Sequence, residues 1–217
     1  MRTLLKKEMQ LAASPLSYLF ISFGLMAFVP GYPILVGSFF LCLGLFQSFQ
    51  FAREASDIPF SALLPVAKGD IVRAKYAFCI VIELCYFLLT TVPVLIRMSV
   101  LSDLSVYRSN ALMNANLVYL GYVLLIFGLF NLIFVGGFFK TAYQFAKPFV
   151  SFIVAAFAVV ALAETLFNIP PLSPLNAFGF THMALQVALL AAGMAAFAAL
   201  TTLSIRQAVK SFRLIDL

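Results

Sequence analysis

Of 217 residues, 64% are hydrophobic and 10% are charged; a soluble domain carries roughly 25% charged residues, and a globule of this size cannot hide so much apolar surface. The composition is that of a polytopic membrane protein, and six crossings at about 20 residues each leave too little chain for an ATPase or other soluble enzyme domain within these residues. A net charge of +6 raises nucleic acid as a partner, but the basic residues are scattered between apolar runs rather than gathered on one face, so none is read.

The chain opens with residues 1–14, which set Leu4, Leu5, Met9 and Leu11 among Arg2, Lys6, Lys7, Glu8 and Gln10 before Ser14-Pro15 breaks the direction. That spacing predicts an interfacial helix meeting the first span at an elbow. Lys6, Lys7 and Glu8 followed by Ser14-Pro15, with no small-residue cleavage motif, argue against a cleaved leader. Apolar runs over 15–29 and 33–51, joined by Pro30-Gly31-Tyr32-Pro33, predict a tight hairpin. Further runs at 71–97, 113–139, 149–167 and 180–205 bring the expected spans to six in an all-α fold with a single membrane domain. With the N-terminus inside, twelve of the fourteen Lys and Arg fall on the inner side and only Arg97 and Arg108 outside, so both termini, including a tail over 206–217, are expected in the cytoplasm.

The inner loop, residues 52–70, mixes charged and apolar side chains. Asp57 is expected to cap a short helix carrying Ile58, Phe60, Leu63 and Leu64; Pro65 ends it, Lys68-Gly69 turns, and Asp70 caps the third span. An apolar face outside the bilayer needs cover, either from the feet of its own spans or from a partner protein. On the outer side, residues 98–112 hold a Ser102/Asp103 cap signal and enough apolar positions for a surface helix. Residues 168–179, with three prolines, suit a segment dipping into the outer leaflet; plain connecting loops would serve as well in both places.

Ionisable groups inside a span cost on the order of 3 kcal/mol each and ask for a reason. Glu83, eight residues past Lys75, lies roughly 12 Å into the hydrocarbon. Glu83, Thr90 and Arg97 recur every seven residues with Tyr86 beside the first, and Gln47, Gln50 and Glu54 share a face of the second span. These stripes either line a pathway or fix helix packing through hydrogen bonds. Glu164 is expected to snorkel to water, Asn131 to bond between helices, and His182 to sit at the outer interface without a role. The alanines at 188, 191, 192, 195, 196 and 199 permit close approach of a neighbouring helix, in this chain or in a second copy. Cys42, Cys79 and Cys85 fall in apolar runs without metal-ligand spacing and read as free core thiols, so no metal site is expected.

No GxxxxGK[ST] loop, HExxH pair or GxSxG elbow occurs, so no catalytic residue is assigned and the chain is not expected to be an enzyme. A channel-like or carrier-like scaffold driven by something else, an ATP-independent secondary carrier, or a non-transporting membrane scaffold remains. The two halves show no convincing repeat of the carrier kind.

The inner loop reads Glu54, Asp57, Leu64-Pro65-Val66, Lys68, Asp70-Ile71-Val72 and Ala74-Lys75. With the elbow and six spans, it resembles the permease subunits of type-2 ATP-binding-cassette exporters, including short bacterial permeases of the phenol-soluble-modulin exporter kind. The resemblance implies a multi-pass protein of the bacterial cell membrane whose loop is a coupling helix seated on a separate nucleotide-binding subunit. The partner-contact residues would be Glu54, Asp57, Ile58, Phe60, Leu63, Leu64, Pro65, Val66, Lys68 and Asp70. It also implies that ATP and Mg are bound by that ATPase and that a second permease chain, identical or homologous, completes the transporter. Residues 168–179 would be a re-entrant outer element. Relatives export peptides, lipids, polysaccharides and drugs. Gln47, Gln50, Glu83, Thr90 and Arg97 would be the pathway-lining residues, and if Glu83 and the Gln47/Gln50 stripe faced the cavity, a cationic amphipathic peptide would be the natural cargo.

Overall fold

The structure is a computed structural model that describes residues 2–57, 60–61, 66–141 and 144–214. Every regular element among the described residues is helical. The first, α1, is Arg2–Ala12, with its last five residues wound as a π-helix, and it meets α2, Pro15–Phe28, at 99°. The bend has a local cause. Ala13 is extended, the Ser14 hydroxyl accepts from the Leu16 N–H, and Pro15 takes the first helical position, where a missing N–H is harmless.

α2 changes from α-helix to 3-10 helix after Leu19. Five residues at about 1.5 Å and nine at about 2.0 Å reach about 25 Å, which explains how so short a run can cover most of a bilayer core. It returns along α3, Val36–Glu54. A side chain at Gly44 would stand 2.9 Å from the Leu16 carbonyl oxygen, so glycine sets the distance between these helices. Serines then join them: Ser17 Oγ donates to the Gly44 carbonyl at 2.8 Å, and Ser14 N donates to Ser48 Oγ at 2.8 Å.

The longer elements follow. α4 is Lys68–Ser99, α5 the one-turn Ser105–Arg108, α6 Leu117–Lys140, α7 Ala146–Leu166, α8 the 3-10 helix Pro170–Asn176, and α9 Met183–Arg213. Within α6, residues Phe130–Val135 form a π-helical turn. Four helices, α4, α6, α7 and α9, are long and apolar enough to cross a membrane, and the bent α1–α2 pair makes a fifth if counted as one span. α3 falls outside that set because its last two turns carry Gln47, Gln50, Arg53 and Glu54.

α6 is the central helix: 72% of its apolar window is buried, against 11% for α9. On one side, phenylalanines of α3, α6 and α7 interlock, with the Phe46 and Phe149 rings stacked at 3.8 Å and Phe49 edge-on to Phe134 at 5.0 Å. On the other, α9 lies against α6 at Gly193, where a side chain would stand 2.5 Å from the Gly121 carbonyl oxygen. The close neighbour of the last span is therefore in this chain, and it meets a glycine; Ala188, Ala191, Ala195 and Ala199 are exposed.

Several boundaries differ from expectation. α4 begins at Lys68 with Ala67 as its unassisted cap, so Lys68-Gly69 is helix rather than turn, and Asp70 sits in the first turn paired with Arg73 at 3.1 Å. Near the loop's tip the turn opens at Ser56, whose carbonyl accepts from Phe60 N; Asp57 does not cap it but is drawn onto Lys7. α5 is capped by neither Ser102 nor Asp103, since Asp103 pairs with Arg108 and Leu104 takes the cap position. Residues 113–116 are not helical because Asn116 caps α6 by accepting from Tyr119 N. α9 continues through most of the expected tail, as basic residues suit a helix C-terminus. Cys42 and Cys79 are buried, but Cys85 is exposed and is not a core thiol.

Candidate functional site

Tyr76, Glu83, Thr90 and Arg97 stand seven residues apart on α4, and all four are buried. Seven residues are nearly two turns, so they form one inward stripe to which other helices are fastened. Tyr86 is buried beside them.

At the Lys75 end the fastening is ionic. Lys75 and Glu8 form an ion pair with side chains only 1% and 3% exposed. Lys7 Nζ lies 3.3 Å from Glu8 and 2.7 Å from Asp57, and donates to Ser61 Oγ at 2.6 Å. Two adjacent residues of α1 thus hold two different elements, Lys7 the loop and Glu8 the first turns of α4. An enclosed ammonium or carboxylate left without a partner is costly, which fixes this arrangement.

At mid-length the fastening is neutral. Asn131, in the π-turn of α6, donates from Nδ2 to Glu83 Oε2 at 2.9 Å and to Thr201 Oγ1 of α9 at 3.2 Å. Its carbonyl accepts from Ser204 Oγ at 2.6 Å and from Tyr76 OH at 3.4 Å. α4, α6 and α9 thus share one polar node. The interhelical bond expected of Asn131 is present, and its partner is Glu83.

At the far end Arg97 donates to the Ala27 carbonyl at 2.8 Å and to Asn114 Oδ1 at 2.9 Å, with its guanidinium 4.1 Å from the Tyr107 ring centre. The acceptor on α2 is one of the carbonyls that a helix C-terminus leaves without an internal partner. Below it, Thr90 Oγ1 and Tyr119 OH lie 3.1 Å apart. Residues 113–116 also bind the stretch that follows α7: Asn114 Nδ2 and Asn116 Nδ2 donate to the Ala177 carbonyl, each at 3.1 Å, and Asn114 N donates to Asn176 Oδ1. Glu164 does not snorkel to water as expected: Oε2 accepts from Met113 N at 2.8 Å and Oε1 is enclosed.

Among the expected partner-contact residues, Glu54 and Phe60 are exposed, Asp57, Val66, Lys68 and Asp70 are partly exposed, and Ile58, Leu63, Leu64 and Pro65 lie outside the described residues. Among the expected pathway residues, Glu83, Thr90 and Arg97 are enclosed, whereas Gln47 and Gln50 are partly exposed on one face of α3. The two polar stripes therefore have different surroundings. A cavity of about 230 Å³ lies between α6 and α9, lined by Val118, Tyr122, Leu125, Leu189 and Ala192 among others, and by none of these five. Sequence reasoning missed Tyr76, although it stands one heptad before Glu83, and it missed the pairing of Glu8 with Lys75, for which no local spacing exists.

An all-helical bundle of apolar spans with an ion-paired N-terminal helix and loop is one finding; a family match over nearly the whole chain is another. The model of the ABC-2 family transporter protein matches residues 3–213. The chain belongs to the ABC-2 transporter family. No curated protein and no solved structure gave a match. This ABC-2 chain is accordingly a multi-pass membrane permease of an ABC transporter, a family whose members work with an ABC ATPase. The match takes in all but the first residue of α1, the loop, the α4 stripe and the whole of α9.

Proposed function

We propose that this permease is the membrane subunit of an ATP-driven exporter in a bacterial cell membrane, and that residues 55–67 are its contact with a separate nucleotide-binding subunit. In this reading α3 is a sixth crossing, α1 lies on the inner surface, both termini are cytoplasmic, and a second permease chain, identical or homologous, completes the pathway. ATP and Mg belong to the partner; this chain hydrolyses nothing.

The observation that carries the reading is the double tie at α1. Lys7 holds Asp57 and Ser61 of the loop while Glu8 holds Lys75 of α4, and Phe60 is 62% exposed beside them. A partner seated on Phe60 would therefore push on a segment linked through two ion pairs to α4, which in turn is bonded to α2, α6 and α9. That is a mechanical route from a loop to the whole bundle, as ATP-driven switching between two membrane states requires. By resemblance to the short peptide exporters the proposed cargo is an amphipathic peptide. Glu83, enclosed among α4, α6 and α9, is not the group that selects it in this packing.

Co-purification with a candidate ABC ATPase tests the proposal, comparing wild type with Phe60→Asp and with the pair Leu63→Asp, Leu64→Asp. Loss of the ATPase from variants that still insert and melt like wild type supports a motor contact at the loop. A wild type that retains no ATPase would sink the proposal and favour a non-transporting scaffold or a carrier, and variants that retain the ATPase undiminished would sink the loop as its contact.

A further inference from the structure

The Glu83 node contains more acceptors than donors. Both hydrogens of the Asn131 amide are used, one on Glu83 Oε2 and one on Thr201 Oγ1. Tyr76 and Ser204 are engaged with each other at 2.6 Å and with the Asn131 carbonyl. What remains without a partner is Glu83 Oε1 and Asn131 Oδ1, one acceptor from each of two groups that are already bonded, and both residues are wholly buried.

No cation stands ready to meet them. The titratable groups that feel the charge of Glu83 are Cys42 of α3 and Tyr76 and Cys79 of α4, none of them basic. Lys75, the nearest base along the helix, is paired with Glu8. Space is short as well, since a side chain at Gly136 would stand 2.6 Å from Ser204 Oγ. A buried carboxylate without a counter-charge is far more costly than a neutral acid that is hydrogen-bonded. A protonated carboxyl carries one O–H donor and keeps an acceptor, which is what this pair lacks.

We infer that Glu83 binds a proton at Oε1 in this packing and donates it to Asn131 Oδ1, so that acid and amide close a two-bond ring between α4 and α6. The proton is then a ligand of the interhelical contact, held at mid-length of α4. The main-chain carbonyl of Asn131 takes the Gly136 N–H of the π-turn and also accepts from Ser204 and Tyr76, and π-turns of this kind are frequent at functional sites. The inference needs only that the bundle is embedded in a membrane, and it stands apart from the exporter reading.

Infrared difference spectroscopy on the full chain in lipid bilayers at neutral pH tests it, using wild type minus Glu83→Gln. The expected result is the loss of one protonated-acid carbonyl band, with Glu83→Gln melting like wild type because a glutamine amide closes the same ring. Asn131→Leu is the second variant: it keeps the acid but removes its partner, and should move the same band to higher frequency. Loss of a carboxylate band in place of an acid band would overturn the inference. So would a band that changes when sodium or potassium is exchanged for choline, since the site would then hold a metal cation.

Discussion

Lys75 and Arg97 are both buried cations on α4, 22 positions apart, and they are satisfied in opposite ways. Lys75 meets a carboxylate, Glu8, on an element 67 positions away in sequence. Arg97 meets no carboxylate among the described residues and relies on a main-chain carbonyl, an asparagine oxygen and an aromatic face. The side chains explain the difference. An ammonium is a compact, strongly hydrated charge that needs a counter-charge once enclosed, whereas a guanidinium is weakly hydrated and spreads its donors over several neutral acceptors. One end of α4 is therefore held by a pair of charges, each of which depends on the other. The opposite end is held by a fork whose bonds can be lost singly.

The largest effect should come from stranding the lysine. Glu8→Leu leaves an uncompensated charge and should cost about 3–5 kcal/mol, read as a lowered melting temperature of the purified permease. Adding Lys75→Met should recover most of the loss, and a double variant no better than the single would break the argument that the pair acts as a unit. Arg97→Met should cost less, about 2–3 kcal/mol for hydrogen bonds to a charged group, because it strands only neutral acceptors. Arg97→Lys should recover little of that, since lysine lacks the fork; full recovery in a melt would contradict the account. Asn114→Ala removes one Arg97 bond and one bond to Ala177, and should cost about 1–2 kcal/mol by the same measurement. Smallest is Lys7→Ala, where the pair is only partly enclosed and the melting penalty should be about 1 kcal/mol. Its signature lies elsewhere, in faster hydrogen exchange over residues 55–61 with exchange across α4 unchanged.

Legibility followed the range of the interactions. Apolar runs announced helices because twenty such residues in lipid must satisfy their own backbone polar groups, and the positions of the long helices were close to expectation. Their ends were not: α4 and α9 run several residues past their apolar stretches, while residues 113–116 stay outside the helix, where Asn114 and Asn116 are bonded to residues 175–177. A cap or a pairing from a distant segment decides such ends, and no local spacing records it. The loop is divided in the same way, since its mixed character was plain but Asp57 is taken by Lys7 rather than by its own helix.

By itself the sequence determined that this is a helical membrane protein, that α4 has one polar face at a seven-residue period, and, through the loop and the run to Lys75, the resemblance that the family match upholds. These are properties of covalent neighbours, set by helix pitch and by solubility in lipid. Only the tertiary structure decided that the face turns inward, that Glu8 answers Lys75, that Asn131 answers Glu83 from a π-turn, and that a short first run is stretched by 3-10 winding. Those outcomes depend on which helices lie together. That choice is made by glycine contacts, aromatic packing and the need to satisfy every enclosed charge, all acting between residues far apart in the chain.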